Sequence, residues 1–428
     1  MNPEDLTLIH DWNPSGDFIP KRVAVLDDTI RDGLQSPSVR DPELQQKKQL
    51  VRLSSRIGSD GIVLGLPGAS PKACDEIAEL AIHLQSHGQA PDLVTGVRTH
   101  SHDIKAHLAA CEKSGATLTA GMFLGSSPMR LFAEGWEWDD LVELTRNSVR
   151  SCVKNGAPVM FITEDSTRSR PEDLRDLYKA ALDEGATRIC LADTCGHAEP
   201  AGTRAIVRFA LDLIKESGTG AKLDWHGHND RGLAQANALA AADEGVDRIH
   251  ATCLGIGERV GNTALDQLLV NLELKFPGTG RDLSALPEYC ERVREWCDAP
   301  LPGNYPMMGN DAFRTATGVH AAAIVKALDM GSNWIADRVY SAVPASLFGR
   351  DQTIEIGFMS GRHNVLHWLK VNHPHMEELR RESCVERVLN TAKSSRTLLT
   401  EDQVARLVAD EIRVGKEAAE GLMAESVR

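Results

Sequence analysis

The spacing of two histidines makes them the residues of this sequence best suited to bind a metal ion. His226 and His228 flank Gly227 directly after the apolar run 223–225. On a β-strand, side chains two residues apart project from the same face. A lone histidine would more often be a hydrogen-bonded core residue, but this paired spacing at a strand end favours metal binding. Neutral imidazoles need an anionic partner, which Asp32 can supply, and an oxygen-rich remainder of the site suits Mg, Mn or Zn.

Other polar residues that could take part in a reaction also follow apolar runs. Arg31 lies beside Asp32, where its guanidinium could stabilise negative charge on an oxygen near the metal. The alternative is a simple structural ion pair, and we favour the functional role. Glu164 could serve as an acid or a base. For Asp165 and Thr194, capping of the helices that follow them is the alternative to a role in the reaction.

A glycine-rich segment, Gly255-Ile256-Gly257-Glu258-Arg259, follows the last of these runs. Such turns can bind anions through backbone N–H groups, but this one lacks the Lys-Ser/Thr pair of a phosphate-binding loop. The segment by itself is therefore weak evidence for phosphate binding. It becomes informative because it follows a predicted strand, as the other candidate site residues do.

The elements that must position these residues follow from a recurring pattern. A helix end, a glycine and an apolar run repeat about every thirty residues, the size of one strand and helix. A glycine in this position indicates a left-handed helix C-cap, and the apolar run indicates a strand buried on both faces. The glycines are Gly58, Gly88, Gly115, Gly156, Gly185, Gly218 and Gly245. The runs are 23–26, 62–66, 93–97, 118–124, 159–162, 189–192, 223–225 and 249–254.

Eight strands that alternate with helices predict an α/β fold, a (β/α)8 TIM barrel, over an open doubly wound sheet. In such barrels the active site lies at the C-terminal ends of the strands, where the polar candidates fall. The rhythm stops near residue 284. We therefore expect a catalytic barrel over residues 1–283 and a mainly helical appendage or lid over residues 284–428, with helices near 321–328 and 377–391.

Composition narrows the class of protein. The chain of 428 residues is 42% hydrophobic and 25% charged, as in ordinary globular proteins. Its formal net charge of -14 argues against nucleic acid or an anionic membrane as a partner. Nine cysteines without a Cys-x-x-Cys pair indicate reduced thiols and a cytoplasmic protein. Residues 1–20 lack the features of a signal peptide, and no run is long enough to span a membrane.

Three motifs follow one another along the chain: Asp28-Thr29-Ile30-Arg31-Asp32-Gly33-x-Gln35, His226-Gly227-His228-Asn229-Asp230-x-Gly232 and Gly255-x-Gly257-Glu258-Arg259-x-Gly261-Asn262. In this order they resemble the isopropylmalate synthase and homocitrate synthase family, which condenses acyl groups on a metal-dependent TIM barrel. The resemblance extends to Thr317-Gly318-Val319-His320, Phe348-Gly349-Arg350 and Ser360-Gly361-Arg362, and covers about residues 22–370.

The resemblance implies a Claisen-type condensation in which acetyl-CoA adds to the ketone of a 2-oxo acid and hydrolysis then releases CoA. It implies Asp32, His226 and His228 as ligands of a divalent metal and Asn262 as a nearby or water-linked ligand. Either Glu164 or His320 would remove the proton from acetyl-CoA. A histidine of this kind often comes from the other protomer, which implies a homodimer with an exchanged helical lid.

The remaining assignments also follow from the resemblance. The substrate-binding residues would be Arg31, Gln35, Met160, Ile162 and Thr194. The segment of Gly257, Glu258 and Arg259 would bind the acetyl-CoA co-substrate.

Several positions depart from the family pattern. Met160 and Ile162 replace the Arg and Ser of homocitrate synthases, which favours an apolar or small monocarboxylic 2-oxo acid. Val63 replaces the usual Glu of strand 2. No C-terminal leucine-sensing regulatory domain is expected.

Four alternatives stay open at this point. Two are condensations like those of homocitrate synthase or citramalate synthase. The third is a metal-dependent retro-aldol lyase on the same barrel, and the fourth is a non-catalytic barrel that kept the fold. The joint presence of Arg31, Asp32, His226, His228 and His320 argues against the fourth.

Overall fold

The structure is a computed structural model that describes residues 8–10, 12–13, 22–88 and 91–426. Contacts divide the chain into two compact units, Gly16–Leu301 and a second unit that includes Pro302–Arg428. The functional boundary expected after residue 283 stays a prediction. Most of residues 1–20, on which the signal-peptide expectation rests, lie outside the described part.

Eight parallel strands of the first unit close into a barrel in chain order, with β1 paired to β8. The predicted (β/α)8 fold is therefore confirmed. The strands are β1 (Ala24–Asp27), β2 (Gly61–Val63), β3 (Asp92–Arg98), β4 (Thr119–Gly125), β5 (Val159–Glu164), β6 (Arg188–Asp193), β7 (Lys222–Gly227) and β8 (Arg248–Ala251).

Two strands end earlier than their apolar runs predict. β8 ends at Ala251 because the chain turns through Leu254, whose φ of 57° is left-handed and leaves the strand direction. β2 ends at Val63, and Gly65 with a φ of 139° lets the chain turn before Pro67. In both cases apolar residues continue past the strand because the turn itself is buried at Leu64 and Leu254.

Helices follow the strands around the outside of the barrel. All seven glycines predicted to end helices have φ values between 62° and 104°, so the C-cap prediction is confirmed. The helices are α1 (Leu44–Arg56), α2 (Pro71–Ser86), α3 (Ser101–Ser114), α4 (Pro128–Glu134), α5 (Trp138–Lys154), α6 (Pro171–Asp183), α7 (Pro200–Ser217), α8 (Ala234–Glu244), α9 (Leu265–Lys275) and α10 (Leu286–Trp296).

The N-terminal end of the barrel interior contains a layer of buried charges. Arg248 donates to Asp224 at 2.7 Å and to Asp92 at 2.5 Å, and Arg188 donates to Asp224 at 2.5 Å. Burial alone would raise the pKa of Asp224, but the two guanidiniums and His250 hold it well below its usual range. Two arginines and two carboxylates therefore neutralise one another in this layer.

The second unit is mainly helical and has its own apolar core. A two-stranded parallel sheet, β9 (Arg314–Thr315) and β10 (Thr353–Ile354), joins its parts. Its helices are α11 (Gly318–Asp329), α12 (Asn333–Ala336), α13 (Arg362–Asn372), α14 (Glu378–Ser394) and α15 (Glu401–Ser426). α13, α14 and α15 share a core that includes Val365, Val388 and Val408. Among the described residues, no helix combines the length and apolarity needed to cross a membrane.

Candidate active site

Three predicted metal ligands meet at the C-terminal mouth of the barrel. The Nε2 atoms of His226 and His228 lie 3.2 Å apart. One carboxylate oxygen of Asp32, after β1, lies 3.2 Å from His226 Nε2 and 3.8 Å from His228 Nε2. All three side chains are buried. Because the β1–β8 pairing closes the barrel, residues far apart in sequence form one compact set of donors.

The protonation of these groups suits a divalent cation. Burial lowers the pKa of His228 to about 4, so its imidazole is neutral near pH 7. Burial alone would raise the pKa of Asp32, but Arg31 and His226 hold it well below its usual range. Two imidazoles and one carboxylate are a donor set that Mg, Mn or Zn can accept.

A fourth candidate ligand, the side-chain oxygen of Asn262, lies close to this set. Asn262 forms an isolated backbone bridge with His228. Its Nδ2 donates to the carbonyl of Ile256 at 3.3 Å, whereas its Oδ1 is buried and has no hydrogen-bond partner among the described residues. A buried acceptor without a donor is costly, so a cation or its water there would relieve that cost. The residues present therefore fit a divalent metal.

Arg31 is held rigidly next to the metal ligands. Its Nε donates to Asp28 at 2.8 Å, its Nη2 makes a second bond to the same carboxylate, and its Nη1 lies 3.6 Å from Asp32. A bidentate pair fixes the plane of a guanidinium. Arg31 also lines the cavity, so part of its side chain faces the empty space of the cavity.

Glu164, at the end of β5, faces the same cavity from the opposite wall. Burial raises the pKa of its carboxyl, and Arg130 and Arg31 oppose this shift. A carboxylate with a raised pKa is a stronger base than an exposed one, which suits proton removal from carbon.

The cavity at the mouth has a volume of about 230 Å³ and a divided lining. Ligand pockets for drug-sized molecules usually span ~300–1,000 Å³, so this cavity suits a small acid. Its polar half comes mainly from β1, β7, β8 and their loops, and its apolar half from β2 to β5. The polar half contains Arg31, Asp32, Gln35, His226, His228, His250 and Glu258. The half from β2 to β5 is mostly apolar, with Val63, Leu66, Val94, Gly96, Gly121, Phe123, Met160 and Ile162, and it also contains the polar side chains of Thr95 and Glu164.

Thr194 lines the cavity and also connects loops at the mouth. Its Oγ1 accepts a hydrogen bond from the backbone N–H of Asp165 at 2.8 Å. The alternative of Thr194 as a helix cap is wrong, because α7 starts at Pro200 with Glu199 at its N-cap. Asp165 makes no capping bond either, since its left-handed backbone directs its carboxylate to Arg168.

The glycine-rich loop is anchored across the mouth. Arg259 pairs with Asp230 at 2.8 Å and donates to the carbonyl of Thr194 at 2.6 Å. Glu258 lines the cavity, whereas Gly257 and Arg259 are not among its lining residues. Arg259 therefore holds the loop in place, and binding of acetyl-CoA by this loop stays a prediction.

His320 lies on α11 of the second unit. Its imidazole stacks on Tyr340 with a centroid separation of 4.0 Å and an interplanar angle of 27°. Val319 beside it is 71% exposed. The part of His320 in the reaction stays a prediction.

The sequence-based reasoning did not single out His250. It lines the cavity, donates from Nε2 to the carboxylate of Asp224 at 3.0 Å, and places its ring 5.5 Å from that of His226. The signal was present in the alternation of β8, since Arg248 and His250 are two residues apart and share the inner face. Asp28 was likewise not predicted as a site residue, although it belongs to the first motif.

Comparisons with known proteins agree with this geometry. Residues 22–293 match the model of the HMGL-like family. The chain is a TIM-barrel protein, and it belongs to the HMGL-like family. Homocitrate synthase AksA of Methanocaldococcus jannaschii is 31% identical over 318 residues, which cover 74% of each chain.

Two further relatives are named 2-isopropylmalate synthase, the other kind of enzyme that the motifs resemble. The 2-isopropylmalate synthase of Shouchella clausii is 30% identical over 80% of this chain and 65% of the relative. The probable 2-isopropylmalate synthase of Ignicoccus hospitalis is 28% identical over 94% of this chain and 96% of the relative. The predicted resemblance to these two kinds of synthase is confirmed.

Solved structures with the same fold include two HMG-CoA lyases. That of Bacillus subtilis has a TM-score of 0.56 and 20% identity, and covers 66% of this chain and 96% of the lyase. That of Acinetobacter baumannii, in complex with coenzyme A and 3-methylmalate, has a TM-score of 0.53 and 24% identity over 64% of this chain and 90% of the lyase. At these identities the likeness shows the fold alone.

Proposed function

We propose that the protein condenses acetyl-CoA with a monocarboxylic 2-oxo acid whose side chain is apolar, and releases CoA by hydrolysis. The observation that carries this proposal is the divided cavity, in which three metal ligands and Arg31 face a wall of apolar side chains. The metal half can bind a carboxylate and a ketone, and the apolar half can bind a hydrocarbon. The named relatives support the same reaction class.

Different residues of the site would act in different steps of this reaction. Asp32, His226 and His228 would hold a divalent cation, which would supply a Lewis acid for polarisation of the ketone. Arg31 donates to the ketone oxygen as it becomes an alkoxide, because the pair with Asp28 holds the guanidinium in place. This placement avoids reorganisation during the reaction.

Glu164 or His320 removes a proton from the methyl group of acetyl-CoA. The resulting carbanion forms a carbon–carbon bond to the ketone carbon, and the alkoxide takes up a proton to become a hydroxyl group. Water then cleaves the thioester, which gives a carboxylate and the free thiol of CoA. A buried Glu164 fits the first step because its raised pKa makes its carboxylate a stronger base than that of an exposed glutamate.

The other proposed contacts surround this centre. Gln35 and Thr194 bind the 2-oxo acid from the mouth, and Asn262 completes the metal site directly or through water. Gly257, Glu258 and Arg259 form the side of the mouth at which acetyl-CoA enters. An isopropylmalate synthase-like reaction in leucine biosynthesis is the reaction of this class that we favour, in a cytoplasmic homodimer in which the helical lid is exchanged.

The experiment is an assay of free thiol with purified protein. We expect thiol release only when acetyl-CoA, Mg²⁺ or Mn²⁺ and a 2-oxo acid are all present, and none from His226→Ala. His100→Gln, an exposed histidine at the start of α3, is the matched control and should keep full activity. Absence of thiol release across a panel of 2-oxo acids would refute the proposal. Cleavage of a hydroxyacyl-CoA without hydrolysis would replace it with the lyase alternative.

A further inference from the structure

The second unit contains a cavity of its own. Its volume is about 580 Å³, and every residue that lines it lies within Pro302–Arg428. Arg338, Arg350 and Trp334 are among the lining residues. We propose that this cavity, called the arginine cavity below, binds an organic phosphate, with the phosphate group on the two guanidiniums and an apolar or aromatic body beside them. This inference does not rest on the proposed function.

The motif Phe348-Gly349-Arg350, which the proposed reaction does not use, provides one residue of the arginine cavity. Phe348 is buried and stacks on Phe313 with a centroid separation of 6.0 Å, and Gly349 turns the chain with a φ of 63°. The Cζ atom of Arg350 lies 4.9 Å from the centroid of the Phe313 ring, and its Nη1 donates to the carbonyl of Met307 at 2.7 Å. These contacts hold the guanidinium where it lines the cavity.

Arg338 is held by the same kinds of contact. Its Cζ atom lies 4.8 Å from the centroid of the Trp334 ring, and its Nη1 donates to the carbonyl of Trp334 at 3.4 Å. Both arginines are half-buried, and among the described residues neither has a carboxylate within ion-pair distance. A guanidinium has five N–H donors, so each arginine keeps donors for an anion from outside the chain. Stacking on an aromatic ring orients the group before the anion binds.

The other ionisable residues of the arginine cavity leave these two positive charges without a bound counter-ion. Asp337 is buried, and its carboxylate accepts from the backbone N–H groups of Ala345 and Ser346 at 2.7 and 3.1 Å and from Ser346 Oγ at 2.6 Å. Asp351 is exposed, where water and salt screen its charge. Burial lowers the pKa of His367 below its usual value, so its imidazole is neutral near pH 7.

The charge and the size of the arginine cavity together point to a phosphate ester. Such a group has a charge of about −1.5 to −2 near pH 7 and three acceptor oxygens, which match two guanidiniums better than one carboxylate does. The volume of about 580 Å³ lies within the ~300–1,000 Å³ of pockets for organic ligands, so the phosphate group alone would leave most of it unfilled. Leu328, Trp334 and Ala336 provide apolar surface for the rest of the ligand.

The test is isothermal titration calorimetry of the full chain with adenosine 5′-monophosphate, which combines a phosphate ester with an aromatic body. We expect the wild-type protein to bind this nucleotide, to bind inorganic phosphate more weakly and to bind adenosine least. Arg338→Gln and Arg350→Gln should each raise the Kd for the nucleotide about 10-fold or more, since a hydrogen bond to a charged group contributes affinity of that order.

Arg396→Gln is the matched control. Arg396 is an exposed arginine of the same unit that does not line the arginine cavity. This change removes the same formal charge, so the Kd should stay at the wild-type value. Arg350→Lys serves if the glutamine variant does not fold, and should still weaken binding, because an ammonium group lacks the planar fork of a guanidinium. Circular dichroism checks the fold of each variant.

Two results would overturn the phosphate site. One is wild-type binding of the nucleotide that is no tighter than that of adenosine or of succinate. The other is a Kd that Arg338→Gln changes no more than Arg396→Gln does. Because no thiol release is measured, failure of the proposed function would leave these results unaffected.

Competition with coenzyme A distinguishes two sources of the phosphate group. Displacement of the nucleotide by coenzyme A would support the site and assign it to the nucleotide end of the coenzyme. Binding of the nucleotide that coenzyme A leaves unchanged would support the site and assign it to a separate phosphate ester.

Discussion

Asp28 acts on the site only through the groups it holds. Its carboxylate is fully buried, binds Arg31 through two bonds, and lies 4.0 Å from His226 Nδ1. Partners of this kind orient the groups that contact metal and substrate, and their loss costs about 10- to 100-fold in affinity or activity. Asp28 is therefore a positioning residue.

We predict that Asp28→Asn lowers kcat by about 10- to 100-fold while Mn²⁺ still binds, because the guanidinium loses its bidentate partner and the metal ligands remain. Steady-state kinetics and Mn²⁺ titration would measure the two effects separately. Asp75→Asn, which removes only an exposed pair with Lys113, is the control. An unchanged kcat for Asp28→Asn would show that Arg31 needs no positioning.

The raised pKa of Glu164 predicts how the activity depends on pH. If Glu164 is the base, it acts as the carboxylate, so we expect activity to fall as pH decreases through the pKa of Glu164. Because burial raises that pKa, the fall should begin at a higher pH than for an ordinary glutamate, whose pKa is about 4.3. Glu164→Gln should lower kcat by at least about 100-fold with little change in KM for the 2-oxo acid.

Proton exchange separates Glu164 from His320. If Glu164 is the base, Glu164→Gln should abolish deuterium exchange into the methyl group of acetyl-CoA in heavy water, whereas His320→Gln should retain it. The reverse pattern would assign the base to His320. Mass spectrometry of recovered acetyl-CoA measures both variants in the same way.

At the scale of elements, the backbone conformation of the glycines that end helices contributes to stability. Gly218 ends α7 with a φ of 66°, and Gly202 lies in the first turn of the same helix with a helical backbone. A Cβ at either position would meet no atom within 4 Å. The two glycines therefore differ only in backbone conformation.

We predict opposite effects of one substitution at these two sites. Gly218→Ala should destabilise the protein by about 1–2 kcal/mol, the cost of a left-handed backbone for alanine. Gly202→Ala should stabilise it by about 0.5–1 kcal/mol because it lowers the entropy of the unfolded chain. Denaturant unfolding monitored by circular dichroism would measure both. Equal effects would contradict a backbone origin.

The same elements show what sequence can and cannot predict. The repeated glycines and apolar runs were enough for eight strands and for the meeting of Asp32 with His226 and His228, because strand ends of a closed barrel converge. The ends of β2 and β8 were not predictable, since turns at Leu64 and Leu254 are as buried as the strands. His250 and the layer of Arg248 and Asp224 were not predicted. Each of these polar residues lies within or beside a mostly apolar run, so the run still reads as a buried strand and does not indicate that the polar side chains meet inside the barrel.

At the scale of the whole molecule, the proposed exchange of the helical lid between protomers predicts complementation between two variants. If His320→Gln alone is inactive, co-expression of His226→Ala and His320→Gln chains should restore activity. With an exchanged lid, a mixed dimer contains one barrel with intact His226 beside an intact His320, and the other site carries both changes. The measurement is thiol release from the purified mixed dimer, selected with two affinity tags.

Two outcomes bear on the exchanged lid. Recovery of activity in the mixed dimer requires His320 to act across subunits. A mixed dimer as inactive as its parents would place His320 and the barrel of one chain in the same site. Sedimentation of the wild-type protein as a monomer would exclude the exchange altogether.

The division of the cavity into two halves also has a consequence for the history of such genes. The polar half comes from the first strand and the last two, whereas the apolar half comes from one continuous stretch, β2 to β5. Exchange of the gene segment for residues 61–162 by two crossovers would therefore replace the cavity lining that β2 to β5 contribute and leave Asp32, His226 and His228 unchanged. On the proposed function, such recombination would change the accepted acid while the residues of the metal site are inherited intact.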